Sequence, residues 1–377
     1  MKKVMVFIGG YLPGKQYGGP VTSIKNFSDA LGDTYDIRIV CCNHDLNDPT
    51  PYAGISEGWN QVGKAKVCYL ADSDMNLDKL SNLMAEEKPD LIYGSGIMYY
   101  KVNSIIFKAA KANSIPVLLA PRGDLGTNAL KVKAWKKKPF LAVMRVFGPF
   151  KNLYYQATSE EEVTNLQKYL GIDKARIFLL PNIPAEGRII EREPEQDIFR
   201  VVFVSRIQAK KNLLEAIRAV NLVNIPIVFD IYGPMENEDY WLKCSDEIKK
   251  APDNVKIQYR GVLETEEAKT VYSKYDCMLF PTLSENYGHV IAEALLCGCP
   301  VVISKGTTPW DDIDGVAGKV VSLGDVEGLA GALEEIANMS PSRKSEMTNN
   351  ILEYINKKVN RKQLIEEYTK MMEKICK

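Results

Sequence analysis

Residues 277–304 read CMLFPTLSENYGHVIAEALLCGCPVVIS, in which two short apolar runs enclose about twenty residues of mixed character. The runs at 277–280 and 301–304 are apolar apart from Ser304, as strands buried on both faces are. Parallel neighbours need a crossover between them, and that crossover is usually a helix. The stretch therefore predicts a strand, a helix and a second strand of one parallel sheet.

The same alternation extends over the whole chain of 377 residues, which is longer than one hydrophobic core usually organises. It predicts an α/β fold of two Rossmann-like, doubly wound domains in tandem. The first series of predicted strands is 4–8, 37–41, 67–70, 91–93, 117–120 and 153–157. The second series is 201–204, 227–232, 255–259, 277–280 and 301–304.

Residues 182–199 separate the two series and contain Pro184, Gly187 and Pro194, with several charges and no sustained apolar period. Such a stretch is typical of a linker. We therefore predict an N-terminal domain over 1–182, a C-terminal domain over 183–358 and a final helix over 359–377. Apolar residues three and four apart give that helix one apolar face, which must pack against another surface. The N-terminal domain is a candidate for that surface.

The composition is typical of a globular protein. Lys plus Arg equals Asp plus Glu at 48 each, so the net charge indicates no class of binding partner. Eight cysteines without a C-x-x-C pair favour reduced thiols and a cytoplasmic location. The basic N-terminus precedes only five apolar residues, too few for a signal peptide. The two histidines, His44 and His289, stand isolated in the sequence.

Residues 9–20 form a glycine-rich loop after the first predicted strand. Glycines let backbone N–H groups approach a phosphate closely at a helix N-terminus. The loop has neither G-x-G-x-x-G nor G-K-[ST], so it indicates no dinucleotide or ordinary P-loop site. Taken alone, it is equally consistent with a flexible turn.

Residues 205–212, SRIQAKKN, follow the first strand of the second series. Ligands of open parallel sheets bind outside the carboxyl ends of the strands. Arg206 and Lys211 would put two cations there, beside a helix N-terminus that already favours an anion. The alternative is a pair of solvated surface cations.

Residues 285–295 contain two glutamates eight positions apart, Glu285 and Glu293. If Glu285 opens a helix, the rise between them is about 12 Å, close to the span of a nucleotide sugar. Carboxylates accept hydrogen bonds from paired hydroxyls. The N–H groups of Asn286, Tyr287 and Gly288 would then face a diphosphate between sugar and ribose.

Glu285, Glu293 and the following Ala-Leu-Leu-Cys-Gly-Cys-Pro-Val-Val resemble the signature of the retaining glycosyltransferases of the GT-B fold, particularly family 4 (glycosyl transferases group 1). The segment 205–212, Gly261-Val262 and Ala120-Pro121-Arg122-Gly123 are similar to it as well. The resemblance implies two domains facing a cleft. It also implies a retaining, metal-independent transferase of bacterial polysaccharide or lipid-linked glycan biosynthesis.

Position by position, the resemblance makes Arg206 and Lys211 a diphosphate clamp, Glu285 the sugar-facing carboxylate and Glu293 the ribose ligand. It also brings Gly19 to the donor from the opposite domain. These residues, with Gly261, Val262, Asn286, Tyr287 and Gly288, form the expected donor site.

On the acceptor side the resemblance points to Arg122, and to Ser95 where many relatives carry a histidine. The implied substrates are a UDP-sugar carrying a hexose or N-acetylhexosamine, and a glycan or polyprenyl-diphosphate-linked acceptor. No cofactor and no essential metal are expected. The D-x-D runs Asp72-Ser73-Asp74 and Asp312-Ile313-Asp314 are patterns so short that chance explains them.

Residues 127–152 contain no acidic residue and many basic and bulky apolar ones. This composition suits peripheral docking to an anionic inner membrane, and a helix packed on the core with a solvated basic face is the alternative. No recognition motif accompanies the charge, which argues against nucleic acid. The basic residues of the segment are Lys131, Lys133, Lys136, Lys137, Lys138, Arg145 and Lys151.

Two other function classes stay open at this stage. A nucleotide-sugar epimerase shares the double-domain architecture, but it needs acid and base residues that two scattered histidines do not supply convincingly. A non-catalytic nucleotide-sugar binding protein needs no such residues. The combination of Arg206, Lys211, Glu285 and Glu293 favours the transferase.

Overall fold

The computed structural model describes residues 1–14, 16–46, 48–126, 129–130, 134–185, 198–263, 267 and 270–376. The chain forms two compact units. The first comprises Met1–Ile183 together with Arg361–Lys377, and the second comprises Pro184–Asn360. Most of the predicted linker, residues 186–197, lies outside the described residues.

The first unit contains an eight-stranded sheet of order β3-β4-β2-β1-β5-β6-β7-β8. Its neighbouring strands are parallel, except that β3 runs antiparallel to β4. The strands are β1 (Lys3–Phe7), β2 (Asp36–Cys42), β3 (Trp59–Val62), β4 (Ala65–Leu70), β5 (Leu91–Ser95), β6 (Val117–Ala120), β7 (Tyr154–Ala157) and β8 (Ile177–Leu179).

Helices connect these strands and bury their apolar faces against the sheet. Central strands such as β6, Val-Leu-Leu-Ala, are buried at every residue, as a sheet covered on both faces requires. The helices of this part are α1 (Gly19–Leu31), α2 (Leu77–Glu87), α3 (Tyr100–Ala112), α4 (Ala134–Phe147) and α5 (Glu160–Asn165).

The last helix, α11 (Arg361–Ile375), belongs to the first unit although it follows the second in sequence. Its apolar face packs in the same core cluster as Val4, Ile24 and Phe27. The Tyr368 hydroxyl donates to the Pro181 carbonyl at 3.0 Å. Burying each such side chain stabilises the unit by about 2 kcal/mol. The buried residues of α11 are Leu364, Tyr368, Met371, Met372 and Ile375.

The second unit contains a parallel six-stranded sheet of order β11-β10-β9-β12-β13-β14. Its strands are β9 (Phe199–Val204), β10 (Ile227–Tyr232), β11 (Val255–Gly261), β12 (Cys277–Phe280), β13 (Val301–Ser304) and β14 (Gly318–Val321). Its helices are α6 (Leu213–Asn221), α7 (Glu238–Ile248), α8 (His289–Leu296), α9 (Val326–Ala337) and α10 (Pro341–Lys358).

Two parallel-sheet units confirm the predicted α/β class. Three strands, β3, β8 and β14, were not among those predicted. All three lie at sheet edges. β3 and β14 contain polar residues, which an edge strand tolerates, and β8 is only three residues long. Within the described ranges, no helix combines the length and apolarity needed to cross a membrane.

Candidate functional site

The segment after β9 carries two of the predicted site residues, Arg206 and Lys211. A short 3-10 turn, Ala209–Lys211, leads to Asn212, which has a left-handed backbone (φ 59°) and precedes α6. Asparagine tolerates this conformation better than most residues do. The Asn212 side-chain amide donates to the Pro281 carbonyl at 3.0 Å, which ties the end of β9 to the end of β12.

Lys211 and Glu285 form an ion pair between their side chains. Only 12% of the Lys211 side chain and 15% of the Glu285 side chain are exposed, so solvent screens the pair weakly. Burial lowers the pKa of Lys211, and the Glu285 carboxylate opposes that change. The Glu285 N–H donates to the Thr307 carbonyl at 2.7 Å, so a backbone hydrogen bond also fixes the position of Glu285. Lys211 and Glu285, which were predicted from separate segments, are therefore in direct contact.

Arg206 pairs with Glu236, which follows β10, at 2.5 Å between Nη1 and Oε1. Sequence reasoning missed Glu236. The sequence feature that could have identified Glu236 is its position four residues after a predicted strand, at the same edge of the sheet as Arg206. Gly233 makes the approach of the two loops feasible, because a Cβ there would lie 1.9 Å from the Ser205 carbonyl oxygen. The Ile207 N–H then donates to the Pro234 carbonyl at 2.8 Å.

The stretch from Glu285 to Gly288 is not helical, and α8 begins at His289. The expectation that Glu285 opens the helix was therefore wrong, and the distance derived from helical rise does not apply. Gly288 takes a left-handed conformation (φ 76°), which favours glycine, and immediately precedes α8. The Trp310 indole N–H donates to the Tyr287 carbonyl and holds that stretch in place.

Asn286, Tyr287 and Gly288 thus form the approach to the N-terminus of α8. The Tyr287 ring is buried between His289 and Trp310, with ring centroids 4.9 and 5.6 Å away. Its hydroxyl is buried and has no hydrogen-bond partner among the described residues. An unpaired buried hydroxyl is unfavourable, so Tyr287 is held here by the packing of its ring and not by a hydrogen bond of its hydroxyl.

Glu293 lies in the second turn of α8 and, unlike Glu285, makes no ion pair with any described residue. Burial raises the pKa of Glu293 to about 7, because the charged form loses hydration. Burial raises the pKa of the neighbouring Tyr272 and Tyr287 hydroxyls, and the Glu293 charge raises both further. The two predicted glutamates therefore lie in different electrostatic environments.

Gly261 and Val262 end β11 at the same edge of the second sheet. Gly261 has φ 84°, a conformation that favours glycine, and its carbonyl accepts from the Gly233 N–H at 2.8 Å. Val262 is 40% exposed. Arg206, Lys211, Glu285, Gly261 and Val262 therefore all follow carboxyl ends of strands in one sheet, where ligands of such sheets bind.

In the first unit, Gly19 begins α1 after Gly18, whose φ is 68°. A Cβ on Gly19 would contact no atom within 4 Å, so packing within the unit does not require glycine there. Gly10 differs, since a Cβ there would lie 2.0 Å from the Tyr17 ring. The loop is therefore tightly packed at Gly10 and open at Gly19.

Ser95 and Arg122, the predicted acceptor-side residues, are in contact. Arg122 donates to the Ser95 hydroxyl at 3.4 Å, to the Tyr93 hydroxyl at 3.0 Å and to the Asn182 side-chain carbonyl. Arg122 itself has a left-handed backbone (φ 57°). Tyr93 and Asn182 were not predicted, and only the fold brings them together with Arg122.

The carboxylates around this network fix the loop after β6. Glu162, which is buried, accepts from the Gly123 N–H and the Thr158 N–H, each at 2.8 Å. Asp124 accepts from the Ile97 and Met98 N–H groups at 2.6 and 3.0 Å. Burial raises the pKa of Asp124, and these hydrogen bonds oppose that change. The loop carrying Arg122 is thus held from two sides.

The two D-x-D runs have different surroundings. Asp312 pairs with Lys358 and accepts from the Tyr354 hydroxyl at 2.8 Å, which is a structural contact with α10. Asp72 lies beside His44, with 3.3 Å between Nε2 and Oδ1. His44 stands isolated in the sequence, but the fold brings it to Asp72, because residues distant in sequence meet at the ends of β2 and β4.

Comparison with known proteins agrees with this geometry. Residues 188–354 match the family described as Glycosyl transferases group 1. The sulfoquinovosyl transferase of Arabidopsis thaliana is 24% identical over 285 residues, which are 69% of this chain and 52% of that protein. The chain spans about half the length of the curated relatives it matches.

Two solved structures resemble the whole chain. Sucrose-phosphate synthase from Thermosynechococcus elongatus has a TM-score of 0.75 at 16% identity over 99% of both chains. HepE from Anabaena, solved in complex with UDP-glucose, has a TM-score of 0.73 at 16% identity over 99% of this chain and 100% of that one. Residues 188–354 are therefore similar to the glycosyl transferases group 1 family, and the chain has the GT-B fold of these solved structures.

Proposed function

We propose that this protein is a retaining, metal-independent glycosyltransferase. It transfers a hexose or N-acetylhexosamine from a UDP-sugar to a glycan or a polyprenyl-diphosphate-linked acceptor. The observation that carries the proposal is the group of Arg206, Lys211 and Glu285 at the carboxyl edge of one parallel sheet, within the segment that matches the family. The UDP-glucose bound by HepE supports the choice of UDP.

In this proposal, Arg206 and Lys211 stabilise the leaving diphosphate. Negative charge grows on that group as the glycosidic bond breaks, and fixed cations stabilise it most in the transition state. Both cations are already oriented by carboxylates, Glu236 and Glu285, so little reorganisation is needed when the diphosphate arrives. Two cations also make a divalent metal unnecessary for this step.

Glu285 would accept hydrogen bonds from the hydroxyls of the transferred sugar, and Glu293 from the ribose diol. Tyr287 and Gly288 would approach the diphosphate with their backbone N–H groups at the start of α8. We assign no catalytic base, because departure and attack on the same face let the leaving phosphate take the acceptor's proton. Retention then needs no carboxylate nucleophile.

In the first unit, Gly19 would approach the donor, and Arg122 with Ser95 would contact the acceptor. The guanidinium of Arg122 suits an anionic group such as a diphosphate linker, because its donors form a planar fork. Ser95 stands where a histidine is frequent in relatives, so the proposal assigns no histidine-assisted step.

We also propose a cytoplasmic location, with α4 and its flanks docking on an anionic membrane. Lys136 and Lys138 on α4 are exposed, and Trp135, Val143 and Val146 are 74%, 50% and 64% exposed. Cations beside large apolar side chains favour an anionic interface. Lys131 and Lys133 lie outside the described residues.

A panel of nucleotide sugars tests the proposal, with release of free nucleotide as the readout. One UDP-sugar should be hydrolysed, and Arg206→Ala and Glu285→Ala should lower that rate by about 100-fold or more. Lys210→Ala and Arg218→Ala are matched controls, since both side chains are exposed and Lys210 contributes only its backbone to the loop contacts. Unaltered hydrolysis in the two site variants would contradict the assignment.

The same panel separates the other function classes. A free epimerised nucleotide sugar among the products would identify an epimerase. Thermal stabilisation by a nucleotide sugar without any turnover, even with glycan acceptors present, would identify a non-catalytic binding protein.

A further inference from the structure

Three side chains with metal-ligand chemistry converge at the carboxyl edge of the first sheet. Cys42 is the last residue of β2, His44 follows two positions later, and Asp72 comes just after β4. Cys42 Sγ lies 3.5 Å and His44 Nε2 3.3 Å from the same oxygen, Oδ1 of Asp72. All three atoms lie within 4.8 Å of one another.

These separations are close to the edges of a tetrahedral coordination sphere. Metal distances of about 2.3 Å for sulfur and about 2.1 Å for nitrogen or oxygen give edges of about 3.6 Å for sulfur to oxygen and about 3.4 Å for nitrogen to oxygen. The observed values of 3.5 and 3.3 Å differ from these by about 0.1 Å. A metal ion would therefore require little movement of Asp72 relative to the other two groups.

The hydrogen bonds of His44 orient the ring for such a role. Nδ1 lies 2.8 Å from the Asp45 carbonyl oxygen, which only accepts, so Nδ1 carries the proton. Nε2 faces an oxygen of Asp72 at 3.3 Å. This contact is favourable when Nε2 carries a second ring proton, and equally when both atoms are ligands of one metal ion. A histidine whose other nitrogen donates to a carbonyl is the usual arrangement in metal sites.

The backbone around the three groups is firmly held. Cys42 and Leu70 are register partners in β2 and β4, and the Asn43 N–H donates to the Leu70 carbonyl at 2.9 Å. The Cys42 N–H donates to the Gly9 carbonyl at 3.1 Å. Asp72 is 76% exposed, which leaves a path from solvent. Ligands on a rigid frame with an open approach suit a metal site.

We propose that Cys42, His44 and Asp72 bind a divalent transition-metal ion, with Zn²⁺ the best fit. Thiolate and imidazole select such ions over Mg²⁺ or Ca²⁺, which prefer oxygen ligands. Binding displaces the Cys42 thiol proton to solvent, and a water or an anionic ligand completes the tetrahedron. Cys42, His44 and Asp72 belong to the first unit, whereas Arg206, Lys211 and Glu285 belong to the second.

The ion would cross-link the segments that follow β2 and β4. Tyr17 of the glycine-rich loop contacts the same region, since its hydroxyl donates to the His44 carbonyl at 3.5 Å. Metal binding would thus stabilise this edge of the first sheet, including one contact to the glycine-rich loop.

Cobalt spectroscopy on the full chain, with any affinity tag removed and metals stripped by a chelator, tests the proposal. Co²⁺ should bind at one equivalent with a thiolate charge-transfer band and the intense visible bands of tetrahedral cobalt, and Zn²⁺ should displace it. Cys42→Ser should abolish the charge-transfer band. His44→Asn and Asp72→Asn should weaken binding at least about ten-fold.

Asp74→Asn and Cys376→Ser are the matched controls, and both should bind Co²⁺ as the parent chain does. Asp74 lies in the same turn as Asp72, and Cys376 is, like Cys42, a partly exposed thiol. At equal concentration, Zn²⁺ should raise the Tm of the parent chain and of both controls more than that of Asp72→Asn. The absence of a thiolate band in the parent chain, or equal binding by Cys42→Ser and Cys376→Ser, would overturn the proposal.

Discussion

The ammonium of Lys211 and the carboxylate of Glu285, 74 residues apart in sequence, form one ion pair at the junction of two strand ends. Lys211 also lies over the Phe280 ring, 5.6 Å from its centroid. Three features therefore hold this cation: a carboxylate, an aromatic face and limited solvent access. A cation held in this way is preorganised for an anion that replaces part of its contact with Glu285.

We predict that Lys211→Met destabilises the protein, because it leaves the Glu285 carboxylate poorly solvated without its partner. The expected loss is about 3 kcal/mol in the free energy of unfolding, measured by urea denaturation. Lys211→Met combined with Glu285→Gln should recover part of that loss, and Lys210→Ala should change stability little. If the double variant were as unstable as the sum of the single ones, the two side chains would not be coupled.

Arg206 gives a different prediction, since its partner Glu236 comes from a neighbouring loop and 30% of the Arg206 side chain is exposed. Arg206→Ala should lower kcat/KM for the donor by about 100-fold or more while changing stability by less than about 1 kcal/mol. Arg206→Lys should recover only part of the activity, because an ammonium lacks the planar fork. A variant with normal kinetics would show that the diphosphate is bound elsewhere.

The strand alternation was readable from sequence because buried parallel strands are continuous apolar runs. β3, Trp-Asn-Gln-Val, was missed because it is partly exposed and pairs antiparallel at an edge, where polar residues are tolerated. The start of α8 was misplaced for a local reason. Gly288 in a left-handed conformation and the bond from Trp310 to the Tyr287 carbonyl keep residues 285–288 out of the helix.

The candidate site shows a sharper boundary between what sequence can and cannot predict. Arg206, Lys211 and Glu285 each followed a strand, so their shared edge was predictable. Their partners were not, because the contacts of Lys211 with Glu285 and of Arg206 with Glu236 depend on which loops the strand order makes adjacent. Cys42, His44 and Asp72 meet for the same reason, across about thirty residues of chain.

Glu293 leads to a prediction about pH, because burial raises its pKa from 4.5 to about 7. Between these two values the folded protein holds a proton that the unfolded chain has lost. The stability of the folded state therefore falls as pH rises from about 4.5 to about 7, and is then constant with respect to this group. Each pKa unit corresponds to about 1.4 kcal/mol, so the effect is at most about 3.5 kcal/mol.

Glu293→Gln should remove this dependence. The free energy of unfolding of the variant, relative to the parent chain, should rise with pH across that window and then level off. Glu353→Gln, an exposed glutamate on α10, should show no such trend. A constant difference between Glu293→Gln and the parent chain would mean that Glu293 titrates normally.

The exposed apolar residues of α4 predict binding to anionic vesicles. Trp135→Ala with Val146→Ser should weaken binding to vesicles rich in anionic lipid, measured by co-sedimentation, by about 100-fold or more, since each buried apolar side chain contributes about 1.5 kcal/mol or more. Raising the salt concentration should weaken binding of the parent chain. Leu242→Ser, which removes a 61% exposed side chain from α7, is the control and should bind like the parent. Equal binding by both variants would exclude α4 as the docking surface.

Arg122 supplies the last prediction, because its side chain joins Ser95, Tyr93 and Asn182 on the first unit. If this network positions the acceptor, Arg122→Lys should lower the ratio of sugar transfer to donor hydrolysis by about ten-fold, since lysine keeps the charge but loses the planar fork. Arg176→Lys is the matched control, because Arg176 is also a partly exposed arginine that lies over a tyrosine ring, that of Tyr154, and it donates to the Asn152 carbonyl. Both rates are measured in one assay with a saturating UDP-sugar. A parallel fall in transfer and hydrolysis would instead assign Arg122 to the donor or to the stability of the loop after β6.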